Sequence, residues 1–125
     1  NGNVCVMDFA ANSATLLTPE APAVTRWDPF LREPVYVPEC DLMLFASTIQ
    51  FDKKFVPDRM PAFDCAKNRW VVTSIKCGLE RQGSVSDTLT YDAKRGLVWN
   101  LSAYKRIYVL RLDPKTLTLS DNPAN

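Results

Sequence analysis

The sequence predicts an all-β fold made of repeated units of four short antiparallel strands. Shifting the chain by 55 residues lays Arg26 on Arg81 and Tyr36 on Tyr91, and it lays the apolar run 42–44 on 97–99. Repeats of this length are typical of stacked supersecondary units. The apolar runs are short and mostly separated by the nine prolines, as in strands divided by turns. No segment has an apolar stripe of 3.6-residue period long enough for a helix of more than about two turns.

Composition narrows the possible functions. The chain has 125 residues, 46% of them hydrophobic and 23% charged, which suits one folded domain. A formal net charge of +1 gives no electrostatic basis for binding nucleic acid or an anionic membrane, so we expect neither as a partner. Histidine is absent, which excludes serine-histidine and cysteine-histidine catalysis and histidine metal sites. We therefore expect no metal and no cofactor.

The predicted strands fall into groups that follow the repeat. They are expected at residues 3–9 and 14–18, then 33–38, 41–47, 60–65 and 69–75, then 86–92, 96–102, 106–113 and 116–120. This order gives two complete four-stranded units, preceded by the last two strands of another. The strand at 107–112 is apolar at most positions of both faces, which predicts that it is buried between sheets.

The connections between these strands contain residues that favour tight turns. Residues 38–41 form a short polar connection, and Gly96 can supply the positive φ that a hairpin loop requires. In the turn at 113–116, Pro114 fixes φ at the first central position. Leu117 and Leu119 then alternate with polar residues, which predicts an edge strand. A second ladder of turn residues runs along the chain: Asp8 with Asn12, Asp64 with Asn68, and Asp113 with Thr116.

The order of these motifs resembles the kelch type of β-propeller. Arg81, Tyr91, Val98-Trp99 and Leu112-Asp113 match the order of a kelch blade, and 63–70 (Phe-Asp-Cys-Ala-Lys-Asn-Arg-Trp) resembles its outer half. The resemblance implies that the aspartate accepts hydrogen bonds from its turn and that the tryptophan packs between blades. The double glycine of the second kelch strand is replaced by 45–47 (Phe-Ala-Ser) and 100–102 (Asn-Leu-Ser), which indicates a divergent member.

On this resemblance the chain comprises about two and a half blades: an outer half at 1–20 and full blades at 26–75 and 81–120. Propellers close with roughly four to eight blades, because the outermost blades otherwise expose an apolar face. An incomplete propeller implies a fragment of a longer protein, a chain that pairs with another chain, or an oligomer that closes the ring. We favour the fragment, or one chain of a split propeller, so the expected partner is the remainder of the propeller.

The four cysteines allow two interpretations. No CxxC pair occurs, so a zinc site is not expected. They are either small, mostly buried residues, or Cys65 pairs with Cys77 in an exported protein. Only the interpretation with a Cys65–Cys77 pair favours export or an extracellular location. The localisation of the protein therefore stays open. Residues 100–102 (Asn-Leu-Ser) fit the N-glycosylation sequon.

An insertion marks one candidate binding segment. The aspartate ladder steps 56 residues from Asp8 to Asp64 but 49 from Asp64 to Asp113, and most of the extra residues lie in a predicted loop at 48–59. Its apolar and basic residues include Phe51, Lys53, Lys54 and Phe55. Such a loop either packs on its own domain or binds a partner.

Two equivalent arginines mark the other candidate segment. Arg26 and Arg81 each precede a predicted innermost strand, beside Trp27-Asp28 and Asp87 respectively. Arginine suits bidentate binding of carboxylate or phosphate. The alternative is structural: each arginine holds its own blade by bonding carbonyl groups or a neighbouring acid.

These observations favour a non-catalytic propeller segment that serves as a binding scaffold for protein or glycan. No catalytic residue is assigned, because the carboxylates are scattered and no nucleophile has a histidine base. The rival is part of a propeller enzyme, galactose-oxidase-like or glycosidase-like, whose active site is completed elsewhere. A third alternative is an architectural spacer. Fold alone does not choose among them.

Overall fold

A computed structural model of the chain describes residues 4–17, 24–27, 34–46, 49–51, 54–55, 59–76, 88–102 and 106–120. This part of the chain is all-β and contains thirteen strands and one three-residue 3-10 turn, Pro38–Cys40. The strands are β1 (Val4–Asp8), β2 (Ser13–Leu17), β3 (Val24–Trp27), β4 (Val35–Val37), β5 (Leu42–Leu44), β6 (Ile49–Phe51), β7 (Lys54–Phe55), β8 (Arg59–Asp64), β9 (Arg69–Lys76), β10 (Thr88–Asp92), β11 (Leu97–Ser102), β12 (Arg106–Leu110) and β13 (Leu119–Ser120). They form open antiparallel sheets. Over the described ranges no helix has the length and apolar character needed to cross a membrane.

The largest sheet has five strands in the order β13-β9-β8-β5-β4. Four of them, β4, β5, β8 and β9, are the strands predicted between residues 33 and 75, and each pairs with the next one in antiparallel fashion. Met43 lies between Tyr36 and Phe63 across this ladder, and Phe63 in turn lies opposite Trp70. The four strands expected to form one unit do pair with one another, but β13 joins them as a fifth strand.

The second unit differs from the prediction. Strands β10, β11 and β12 form a three-stranded sheet, but the expected fourth strand pairs with β9 instead. Leu119 lies opposite Thr73, and the Ser74 amide donates to the Thr118 carbonyl at 2.9 Å. Packing explains the choice, because Leu117 and Leu119 contact the main hydrophobic cluster. The expectation that residues 116–120 complete the unit of β10–β12 was wrong.

The predicted loop at 48–59 contains two strands. Strand β6 pairs with β3 on one side and with β7 on the other, so that β3-β6-β7 is a separate three-stranded sheet. The segment around Arg26, expected to precede a strand, is itself the edge strand β3. Aromatic and β-branched residues at 49–51 favour this extended structure.

The main core lies between the five-stranded sheet and the β10–β12 sheet. Leu42, Leu44 and Met60 contribute from the first sheet and Leu89 and Val98 from the second. Leu42 and Leu44 are completely buried. The two sheets therefore pack face to face through their apolar side chains.

A second cluster covers the other face of the five-stranded sheet. The Trp70 ring packs edge-on against Phe63 with ring centroids 5.1 Å apart, and it lies 5.3 Å from Phe45. Val4 of the β1–β2 hairpin packs against this cluster. The five-stranded sheet thus lies between the hairpin and the β10–β12 sheet, with an apolar contact on each face.

One burial prediction was wrong. Strand β12 was expected to be buried on both faces, but Ile107 is 64% exposed and Val109 48% exposed. Leu110, on the opposite face, packs against the main core. Only one face of β12 is therefore covered in the described part of the chain.

The ladder of turn aspartates is confirmed. The carboxylate Oδ1 atoms of Asp8, Asp64 and Asp113 accept hydrogen bonds from backbone amides two or three residues later, at 2.9, 3.0 and 2.9 Å. The fourth residue after the first two is Asn12 (φ 48°) and Asn68 (φ 50°), in the left-handed region, which asparagine tolerates better than most residues. Gly96, with φ 61°, occupies the same position after Asp92. The prediction for Gly96 is likewise confirmed.

Candidate binding surface

The β3-β6-β7 sheet brings together residues from both candidate binding segments. In the ladder, Arg26 lies opposite Gln50 and Trp27 lies opposite Ile49. On the other side of β6, Phe51 lies opposite Lys54 and Gln50 lies opposite Phe55. Five of the nine predicted binding residues therefore lie on one small sheet: Arg26, Trp27, Phe51, Lys54 and Phe55. The other four, Asp28, Lys53, Arg81 and Asp87, lie outside the described residues.

The backbone of this sheet has two features that matter for binding. The register shifts between Val24 and Arg26, an irregularity that bends a strand. Strands β3 and β7 are also the outer strands of the sheet. Outer strands direct backbone amide and carbonyl groups away from the sheet, where an extended segment can pair with them.

A second group of polar contacts lies where the five-stranded sheet meets the β10–β12 sheet. The Tyr91 hydroxyl donates a short hydrogen bond to Glu39 Oε1, which joins β10 to the 3-10 turn after β4. This bond raises the pKa of Tyr91 to about 12. It also lowers the pKa of Glu39, because the bond stabilises the carboxylate.

The equivalent tyrosine of the other unit makes a different contact. The Tyr36 hydroxyl donates to Asp41 Oδ1 at 2.9 Å, within its own turn, and this bond raises the pKa of Tyr36. The repeat aligned Tyr36 with Tyr91 but gave no reason to expect that only Tyr91 links two sheets. No pattern in the sequence around Glu39 indicates that this residue is the hydrogen-bond partner of Tyr91.

Cys40 and Cys65 have the character of structural residues and not of nucleophiles. Burial is the main cause that raises the pKa of Cys40 and of Cys65, and a thiol is a poor nucleophile while protonated. Cys65 is a free thiol, so the structure does not show it paired with Cys77, which lies outside the described residues. Cys5 is exposed, contrary to the interpretation of mostly buried cysteines.

Two further features of the described residues bear on ligand binding. Within the described ranges, no group of three acidic, cysteine or histidine side chains could hold a metal ion. A cleft of about 190 Å³ lies between β9 and the connection from β12 to β13, lined by residues that include Ser74, Leu110 and Leu117. Cofactor and drug-sized ligand pockets usually measure about 300–1,000 Å³, so this cleft is small for such a ligand.

Comparisons of the chain with protein-family models, with curated proteins and with solved structures each found no match.

Proposed function

We propose that this chain is a non-catalytic scaffold of propeller-type units that binds an extended protein segment at the β3-β6-β7 sheet. The observation that carries the proposal is the register of that sheet. It places Arg26-Trp27 on β3, Phe51 on the adjacent strand β6, and Lys54-Phe55 on β7, the next strand of the sheet. Arg26 and Phe55, taken from different candidate segments, therefore share one face of the sheet, each opposite Gln50.

The residue types on this sheet suit a protein partner. Binding energy at protein interfaces is concentrated in residues such as tryptophan, tyrosine and arginine, and the sheet carries Trp27 and Arg26 on its edge strand β3. An extended peptide can also add to such an edge through backbone hydrogen bonds. Side chains then select the peptide, and the backbone supplies affinity.

The propeller-type arrangement is supported by how the units pack. The β1–β2 hairpin contacts one face of the five-stranded sheet through Val4 and the β10–β12 sheet packs on the other face, the order in which successive blades would lie. The non-catalytic part of the proposal rests on the sequence, which lacks histidine entirely, the residue most often used as a general base.

The test is selection of peptides from a phage-displayed library of random dodecamers, followed by fluorescence anisotropy with the selected peptide. We expect Arg26→Ala and Phe55→Ala, which lie in one row across the sheet through Gln50, each to weaken binding by about tenfold or more, the effect of removing a residue central to an interface. The matched control is Lys94→Ala in the exposed turn of the β10–β12 sheet, which should leave affinity unchanged.

Thermal unfolding of each variant separates loss of binding from loss of fold. A selected peptide whose affinity is unaffected by both substitutions would overturn the assignment of this surface. Failure to select any peptide, together with a glycan-array signal that the same variants abolish, would replace the protein ligand with a glycan.

A further inference from the structure

The two units at the ends of the described chain each expose an apolar sheet face. In the β10–β12 sheet this is the β12 face, formed by Trp99, Leu101, Ile107 and Val109. Leu101 lies opposite Ile107 and Trp99 lies opposite Val109. Leu101, Ile107 and Val109 are 48%, 64% and 48% exposed. Contiguous apolar surface of this kind marks an interaction site more often than scattered apolar residues do.

The β1–β2 hairpin has a corresponding surface. The hairpin face is formed by Cys5, Met7, Ala14 and Leu16, which lie on one side because Cys5 pairs with Leu16 and Met7 with Ala14. Met7 and Leu16 are each 61% exposed. Val4 points to the other side, towards the aromatic cluster of the five-stranded sheet. The hairpin therefore contacts its neighbour through Val4, while Val6 on the same side stays exposed and the face of Met7 and Leu16 is open.

The repeat identifies which residues of the five-stranded sheet correspond to the residues of each open face. The 55-residue shift places Leu101 on Ala46, and the aspartate ladder places Val109 on Met60. Ala46 and Met60 are 7% and 1% exposed, because they belong to the core between the five-stranded sheet and the β10–β12 sheet. The β12 face is thus the equivalent of a face that already holds the next unit.

The hairpin face corresponds to the other side of the packing between units. The 56-residue step of the ladder places Met7 on Phe63 and Leu16 on Val72, which are 4% and 2% exposed. Phe63 lies in the cluster against which the hairpin packs. The hairpin face is therefore the equivalent of a face that already holds the preceding unit.

We propose that the β12 face of one copy of this chain binds the hairpin face of a second copy, head to tail. The proposal rests on the repeated units invoked for the proposed function, but not on their ligand. The occupant is a second copy because the chain carries both halves of the contact, each equivalent to one side of a packing that occurs within it. The contact continues the internal stacking of units into a neighbouring molecule.

The geometry of the contact predicts the kind of assembly. A head-to-tail contact uses two different surfaces, so each added copy presents a free surface again until the assembly closes into a ring. Burial of apolar surface provides the driving force. We expect the weight-average mass of the wild type to rise with concentration and to reach at least twice the monomer mass of 14.1 kDa.

The experiment is sedimentation equilibrium of two variants, each blocked on one face. Ile107→Lys places a charge on the β12 face, and Leu16→Lys places one on the hairpin face. Each variant alone should sediment as a monomer. An equimolar mixture should form a dimer and nothing larger, because the intact hairpin face of the first variant can bind only the intact β12 face of the second.

Ala93→Lys is the matched control, since it adds the same charge in an exposed turn away from both faces, and it should associate like the wild type. If a lysine variant loses its far-ultraviolet circular dichroism spectrum, Ile107→Thr and Leu16→Thr replace the pair. A wild type that stays monomeric, a single variant that still associates, or a mixture that stays monomeric would each overturn the proposal. None of these outcomes bears on the peptide-binding test, which uses variants of the β3-β6-β7 sheet.

Discussion

Asn100 lies in β11 and is 1% exposed, although residues 100–102 form a glycosylation sequon. It shares a face of the strand with Val98, which is part of the main core. Its Oδ1 atom is buried and has no hydrogen-bond partner in the described part of the structure. A glycan at this position would have to occupy the space between the two packed sheets.

We therefore predict that the folded protein, secreted from a glycosylating host, carries no glycan at Asn100. Intact-mass spectrometry is expected to show the same mass before and after enzymatic removal of N-linked glycans. Ala14→Thr is the positive control, because it creates a sequon at Asn12, an exposed turn residue. A folded, secreted chain with a glycan on Asn100 would contradict the packing described for β11.

At the level of elements, the β8–β9 and β1–β2 hairpins use the same turn in different surroundings. Asp64 is 4% exposed and accepts from the Lys67 amide, with Arg69 Nε 3.7 Å from its second oxygen. Asp8 accepts from the Ala11 amide but is exposed. The two aspartates therefore separate the effect of the turn itself from the effect of burial.

Asp64→Ala is expected to lower the free energy of unfolding by about 1–3 kcal/mol, because it leaves buried polar groups without their partner. Asp8→Ala removes the equivalent bond at an exposed site, where water replaces the carboxylate, and should cost less than about 1 kcal/mol. Urea unfolding curves of the two variants provide the comparison. Equal losses would show that burial of Asp64 contributes nothing to the turn.

Elements that depend on local chemistry were predictable from the sequence, and those that depend on distant pairing were not. Asp64, Asn68 and Gly96 mark their turns through hydrogen bonds and φ values set within a few residues. The partner of β13 is set by contacts with the core and with β9, far away in sequence. The β3-β6-β7 sheet was not predicted for the same reason, because its edge strand β3 lies more than twenty residues before β6 in the sequence.

The candidate site was predictable as residue types but not as a surface. Arg26 and Trp27 were selected for their chemistry, and Phe51, Lys54 and Phe55 for their place in an insertion. Their assembly on one sheet depends on a register that no local pattern encodes. The sequence therefore indicates which residues could bind, whereas the strand pairing determines which of them are neighbours.

At the scale of the whole molecule, the bond from Tyr91 to Glu39 joins the five-stranded sheet to the β10–β12 sheet. The contribution of this bond to the free energy of unfolding depends on pH in the acid range, through Glu39, and in the alkaline range, through Tyr91. The pKa of Glu39 is lowered by folding, so its contribution is present above the ordinary carboxyl range and is lost as the pH falls. The pKa of Tyr91 is raised to about 12 from 10.0, so its contribution is full below pH 10 and is lost as the pH rises towards 12.

We predict that Tyr91→Phe destabilises the protein at neutral pH and that the difference from the wild type narrows as the pH rises from 10 towards 12. Free energies of unfolding measured in urea across this range test the prediction. Glu39→Gln should likewise weaken the alkaline dependence, because it removes the charge that holds the Tyr91 proton. A difference between wild type and Tyr91→Phe that is constant with pH would show that the bond does not link the sheets in solution.

The pairing of β13 with β9 has a consequence for the order in which the chain folds. Thr73 and Leu119 are 46 positions apart, from 73 to 119, whereas β4, β5, β8 and β9 pair with near neighbours in sequence. Non-local pairing forms slowly because a long loop must close first. As the ribosome delivers the chain, β4, β5, β8 and β9 can pair early, while the edge of β9 waits for residues near 119. During that interval the nascent protein displays an uncovered strand, the stage at which a chaperone would protect it most.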